Sequence, residues 1–138
     1  MRVFAALLLA GATPAVAQIA PISFDTGKAL PLASGQWTYF ATAGGSIAMY
    51  GNHIQLRCDR AIRTITISRP NGVPAALTIA TDSTSRTLPP SGRLLASDPL
   101  LDSIAFSRGR FIVAGGTGPA VAVPSWPEAA RSIEDCRN

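Results

Sequence analysis

The sequence predicts a mainly β domain, an antiparallel β-sandwich or partly open barrel with one short internal helix and a C-terminal helix clamped by a disulfide. Three observations predict it. Short segments of alternating apolar and polar residues, rich in β-branched and aromatic types, recur between turn residues about every ten positions, a spacing of antiparallel sandwiches and barrels rather than parallel sheets. Two stretches, Asp98-Pro99 and Ser125-Trp-Pro-Glu128, carry helix-start signals instead. The chain has two cysteines, one closing a strand-like segment and one close to the last residue.

The chain opens with a leader pattern. Arg2 precedes the apolar run Val3-Phe-Ala-Ala-Leu-Leu-Leu-Ala, and Ala15-Val-Ala17 gives the small-x-small site of signal peptidase. The run is shorter than the roughly 20 apolar residues of a membrane span. It holds no cysteine for a lipid anchor. Residues 1–17 are therefore expected to be removed on export to the periplasm or medium, with no stable membrane insertion afterwards. Residues 18–36 hold Pro21, Gly27, Pro31 and Gly35 with no sustained period, which predicts an extended lead-in that either hugs the domain or frays. A single β domain is expected over residues 37–138.

Trp37 to Ala43 alternates as a strand, Gly44-Gly45 turns it, Ser46 to Tyr50 follows, and Gly51-Asn52 turns again. In His53-Ile-Gln-Leu-Arg-Cys58 the residues Ile54, Leu56 and Cys58 share one face and Gln55 and Arg57 the other, so the thiol points into the core and Arg57 points out. Thr64 to Ser68 sets Ile65 and Ile67 against a polar face, and Pro70-Asn71-Gly72 ends it. Ala76 to Ala80 and Arg86 to Leu88 continue the pattern, up to Pro89-Pro90-Ser91-Gly92. Asp98 caps a helix with Pro99 in its first turn, Leu100, Leu101 and Ile104 form its stripe, and Gly109 stops it. Phe111 and Val113 resume as strand, Gly115 to Gly118 turns, and Val121 to Val123 closes the sheet.

Ser125-Trp-Pro-Glu128 reads as a capping box, with the Ser hydroxyl accepting from the third amide and the Glu reaching back. Ala129, Ile133 and Cys136 then lie on one helical face. In an exported chain two cysteines are most simply one disulfide. An inward residue of a mid-chain strand can pair with an inward residue of the terminal helix only if that helix lies across the sheet. Closing so long a loop contributes on the order of 4 kcal/mol. The alternative, a reactive or metal-binding thiol, has neither a C-x-x-C nor a second histidine in its support.

The formal charge of the chain is +4, nearly all of it arginine, with Lys28 the only lysine. A basic balance suits nucleic acid or an anionic polymer; the leader argues against nucleic acid. A GC-rich genome also yields arginine for lysine without any role in function. No phosphate loop, EF-hand spacing or cofactor fingerprint is present, so neither cofactor nor metal is expected.

His53 is the only histidine, and Asp59 lies about 20 Å along the strand, too far for a local pair. No G-x-S-x-G or S-x-x-K motif is present. A hydrolase built on His53 or on paired carboxylates is thus the least favoured reading. Phe106-Ser-Arg-Gly-Arg-Phe111 is the most unusual local feature. Alternation puts Phe106 inward and turns Arg108 or Arg110 out as a fork for a carboxylate or phosphate. The competing reading makes Gly109 a helix stop and pairs the arginines with Asp98, Asp102 or a terminal carboxylate. Arg57 belongs to the same candidate arginine-bearing surface, and Trp126 is either a packing anchor or a ligand platform.

These parts together, the tryptophan-led opening, Leu56-Arg57-Cys58, Thr64-Ile-Thr-Ile67, Thr81-Asp-Ser83, Ser107 to Phe111 and the helix ending in Cys136, resemble small exported proteins of alphaproteobacteria without assigned function. The order of parts is also similar to type VI secretion accessory proteins of the VasI/TagO kind, although this chain has shorter loops and its own Ser-Trp-Pro-Glu helix entry. The resemblance implies an envelope-associated, non-catalytic β domain and supplies no catalytic residues. The expectation is a periplasmic binding or accessory module that recognises an envelope protein. The alternative is an inhibitor of a cell-wall hydrolase such as lysozyme.

Overall fold

The computed structural model describes residues 11, 12 and 22–138, so the expected leader falls, apart from Gly11 and Ala12, outside the described residues. Its centre is a meander. β1 (Trp37–Thr42), β2 (Gly45–Tyr50), β3 (Ile54–Asp59) and β4 (Thr64–Ser68) pair antiparallel in chain order. A strand that the sequence reading missed, β7 (Arg93–Leu95), closes this five-stranded sheet beside β4. β5 (Leu77–Ala80), β6 (Ser85–Leu88), β8 (Arg110–Gly115) and β9 (Val121–Pro124) form a second antiparallel sheet in the order β6-β5-β8-β9. The result is a sandwich-like pair of sheets and no closed barrel, as expected from the pattern of short alternating strands.

The inner face of the first sheet follows from the period of two. Tyr50, Ile54, Leu56, Cys58, Ile65, Ile67 and Leu94 are all buried and in register across the strands. Leu77, Ile79, Phe111, Val113 and Val123 of the second sheet belong to the same core. Trp37 packs at a tilt against Tyr50 with ring centroids 5.5 Å apart and donates its indole N–H to the Pro124 carbonyl at 2.8 Å, which ties the edge of one sheet to the end of the other. At the opposite side Arg69 bridges the sheets, donating Nε to the Gly115 carbonyl at 2.8 Å and a terminal nitrogen to the Pro119 carbonyl at 2.9 Å.

Helix α3 (Pro127–Arg137) covers the cysteine end of the inner face. Cys58 and Cys136 are joined in a disulfide across 78 residues, with Cα atoms 5.6 Å apart. Beside it the Ser46 and Ser132 hydroxyls share a buried hydrogen bond of 2.9 Å, and Ala129 and Ile133 pack into the core as their spacing predicts. Helix α2 (Pro99–Phe106) begins at Asp98, whose carboxylate accepts from the Leu100 amide at 2.9 Å and takes a two-pronged pair from Arg86.

Three expectations are corrected. The capping box does not form: α3 starts one residue later, with Trp126 as its N-cap, and both the Ser125 hydroxyl and the Glu128 Oε2 are buried without a hydrogen-bond partner. Proline at the first helical position fixes the start there, which displaces Ser125 from capping range. Phe106 points outward at 80% exposure, because it is the last residue of a helix and strand alternation does not apply. The lead-in is not simply extended, since Ser23 caps one helical turn, α1 (Phe24–Gly27), through a closed capping box with Thr26. That segment is laid on the outer face of the second sheet, where Ile22, Phe24 and Leu30 pack against Ala80, Ile112 and Ala122.

Candidate functional site

The four site residues read from sequence separate into three places. Arg108 and Arg110 line one cleft together with Lys28, Asp25 and Asp82, the α1 segment forming one wall and the Thr81–Ser85 turn the other. Each of its three cations already has a partner within the chain. Arg110 donates to the Leu30 carbonyl at 2.8 Å and holds the lead-in to the sheet. Arg108 faces Asp82 at 3.7 Å, and the same carboxylate accepts from the Arg108 amide at 3.3 Å. Lys28 pairs with Asp25 at 2.7 Å, and that hydrogen bond followed by the lysine charge lowers the pKa of Asp25. The two arginines therefore do not combine into one open fork.

Arg57 stands elsewhere, on the outer face of the five-stranded sheet. The register places Phe40, Ile47, Arg57, Thr66 and Arg93 on a single rung that crosses every strand of the sheet. No helix or second sheet lies across this face among the described residues, since α3 and the partner sheet occupy the inner one. Phe40 is 45% exposed, Leu95 on the next rung 66%, and both Arg57 and Arg93 are exposed. Adjacent strands are about 4.8 Å apart, so Arg57 and Arg93, with β4 between them, are about 10 Å apart along the rung.

The use of arginine separates this face from the rest. Arg60, Arg69, Arg110 and Arg137 reach backbone carbonyls, Arg86 and Arg108 pair with carboxylates, and Arg131 lies 4.0 Å over the Tyr39 ring. Among the described residues Arg57, Arg63 and Arg93 alone have no ion pair, hydrogen bond or aromatic contact for the guanidinium. Two of the three share the rung. Asp59 lies one rung away, and its carboxylate accepts from the Ala61 amide at 3.1 Å.

Trp126 sits at the start of α3, 51% exposed and apart from the rung. His53 places Nε2 3.0 Å from the Ser34 carbonyl and tilts against Tyr50, so its ring is part of the latch on the lead-in. Asp135 is another carboxyl gathered among several donors. Burial raises its pKa, but hydrogen bonds from Tyr39 and Ser46 and the charges of Arg60 and Arg131 outweigh burial and leave it lowered. Tyr39, Asp135, Arg60 and Arg131 together fasten α3 to the sheet edge. Among the described residues no group of three or more His, Cys, Asp or Glu is placed to hold a metal ion.

Sequence reasoning missed Arg93 and Phe40. Phe40 was assigned to a strand, yet nothing local says which side chains across the sheet stand beside it. Arg93 belongs to a three-residue strand, Arg-Leu-Leu, that directly follows the Gly92 turn; Leu94 between two exposed neighbours was its one signal. Among the described residues no helix is long and apolar enough to cross a membrane, and the disulfide is compatible with an exported chain. No family model matches the chain, and neither a curated protein nor a solved structure proved similar to it.

Proposed function

We propose that this chain is a periplasmic, non-catalytic binding or accessory module that recognises an envelope protein through the outer face of its five-stranded sheet. The observation that carries this reading is the rung from Phe40 to Arg93. It combines an exposed aromatic, an aliphatic side chain and two guanidinium groups without internal partners, on a rigid and uncovered sheet. Arginine and aromatic residues are the types enriched where proteins bind one another, and a guanidinium with no acceptor inside its own fold is open to one on a partner. Location in the periplasm belongs to the same proposal. It is supported by the leader read in residues 1–17 and by a disulfide of the kind that oxidising compartments preserve.

The test is a pull-down from a periplasmic extract with Arg57→Glu and Arg93→Glu together, beside Arg108→Glu. The double variant is expected to lose the partner, and Arg108→Glu to keep it. Capture unchanged by the double variant refutes the face as the binding surface. A lysozyme turbidity assay on the same preparations separates a hydrolase inhibitor from an accessory module.

A further inference from the structure

A rigid rung constrains the shape of its partner. Guanidinium groups donate to carboxylates in a planar two-pronged geometry, and the strands hold the Arg57 and Arg93 backbones about 10 Å apart. On a partner strand, carboxylates on one face repeat at about 6.8 Å or 13.5 Å, and residues near 10 Å point to opposite faces. On a helix, positions i and i+7 share a face and lie about 10.5 Å apart. Continuing along that helix, i+10 to i+11 falls near Ile47 and i+14 near Phe40, because one helical turn of about 5.4 Å nearly matches the strand spacing.

We infer that the outer face takes an acidic amphipathic helix laid across the strands, with carboxylates at i and i+7 over Arg93 and Arg57 and apolar side chains at i+11 and i+14 over Ile47 and Phe40. The inference rests on the face being the binding surface proposed above. Charge favours a discrete pair of carboxylates over a continuous anionic surface. Asp59 stands about 6.8 Å from Arg57 along β3 and would repel a sheet of phosphates, while a helix on the rung passes it by.

The experiment measures fluorescence anisotropy of two labelled helical peptides against the exported protein. One carries Glu at i and i+7, Leu at i+11 and Phe at i+14; the other differs only in having the second Glu at i+4. The first is expected to bind about tenfold tighter, and Arg57→Ala and Arg93→Ala are each expected to weaken it about three- to tenfold. Arg108→Ala should change it less than about twofold. The substituted side chains are exposed, and an unchanged melting curve for each variant shows that its fold is kept.

Equal binding of the two peptides, or equal binding by the arginine variants, overturns the inference. So does tighter binding to vesicles of anionic phospholipid that compete with the peptide. If the peptides fail to discriminate while Arg57→Glu with Arg93→Glu still abolishes capture in the pull-down, the surface stands and the helix spacing falls. If capture persists, the surface itself is refuted.

Discussion

Replacing Cys58 and Cys136 together by alanine tests how the terminal helix is held. The disulfide closes 78 residues, and the chain-entropy relation for a loop of that size gives about 4.5 kcal/mol of stabilisation through the unfolded state. Against a total of about 5 to 15 kcal/mol for a domain, that is roughly 30% or more. For a domain of this length, each kcal/mol moves the melting temperature about 3 to 5 °C, so the double variant should melt about 15 to 20 °C lower. Wild-type protein in reductant, which keeps both sulfur atoms, should fall by a similar amount and thus separates the cross-link from the small loss of buried volume.

The folded helix, by contrast, should stay in place. Ile133 and Ala129 remain buried, the Ser46–Ser132 bond persists, and Arg137 still reaches the Ala96 carbonyl at 2.7 Å and Asp102 at 2.8 Å. Native-state hydrogen exchange should therefore show α3 amides opening with the same free energy as those of β2 and β3. A loss of less than about 5 °C in the reduced protein refutes the entropic account. Exchange from α3 at a much lower free energy than from the strands refutes the claim that packing, rather than the sulfur bridge, holds it in the native state.

Three further perturbations probe the scaffold. The hydrogen bond from Arg86 lowers the Asp98 pKa against the opposing effect of burial, with the Leu100 amide and the arginine charge adding to it. The contribution is therefore complete above the unfolded carboxylate value near 3.9 and is lost as pH falls through the lower folded value. Asp98→Asn keeps the cap acceptor but removes the charge, so its melting deficit should be constant above about pH 5 and should close below about pH 4. A Cβ on Gly27 would overlap Cγ1 of the buried Ile112, so Gly27→Ala should cost about 1 to 3 kcal/mol and increase proteolysis of residues 22–34, and its added cost should be smaller in an Ile112→Ala background, which lacks that carbon. Ser46→Ala leaves the Ser132 hydroxyl buried and unpaired and should cost about 1 to 3 kcal/mol in chemical denaturation, while Ser46→Ala with Ser132→Ala should cost less than the single change.

Much of the fold was legible because the strands are short and half-buried, so alternation is forced. Ile54-Gln-Leu-Arg-Cys58 shows it, with three buried residues separated by two that are not. The disulfide was legible for a related reason, since only two inward thiols exist and both faces could be assigned. The lead-in was not, because its helical turn rests on a side-chain box between Ser23 and Thr26 and on a sheet surface made by Ile112 and Ala122, far away in sequence. The Ser125-Trp-Pro-Glu128 motif misled because two start signals compete there, and proline at the first position won over the serine cap. Of the candidate site, Arg57 could be placed outward from its strand, but its neighbours Phe40 and Arg93 are set by sheet register, which no local pattern encodes.

Basic charge alone is a poor guide to the binding surface here. Several of the arginines act as long-reach struts: Arg69 holds one sheet to the other, Arg110 holds the lead-in, and Arg137 holds the last turn of α3 to the chain before α2. Each reaches a backbone carbonyl with a rigid planar fork of donors at the end of a long side chain, whereas a lysine ammonium is a point charge with rotatable donors. Changing any of them to alanine removes a structural bond rather than a recognition contact. Arg57 and Arg93 satisfy no such need. Arg57 projects from the interior of β3, which is paired on both sides, and Arg93 opens the edge strand β7 opposite Thr66; neither guanidinium makes a hydrogen bond or ion pair within the described residues, so removing it breaks none. A substitution that abolishes binding and spares stability is therefore expected at these positions and not at Arg69, Arg110 or Arg137; melting curves measured beside the pull-down decide it, and a stability loss at Arg57 or Arg93 comparable to that at Arg69 would defeat the distinction.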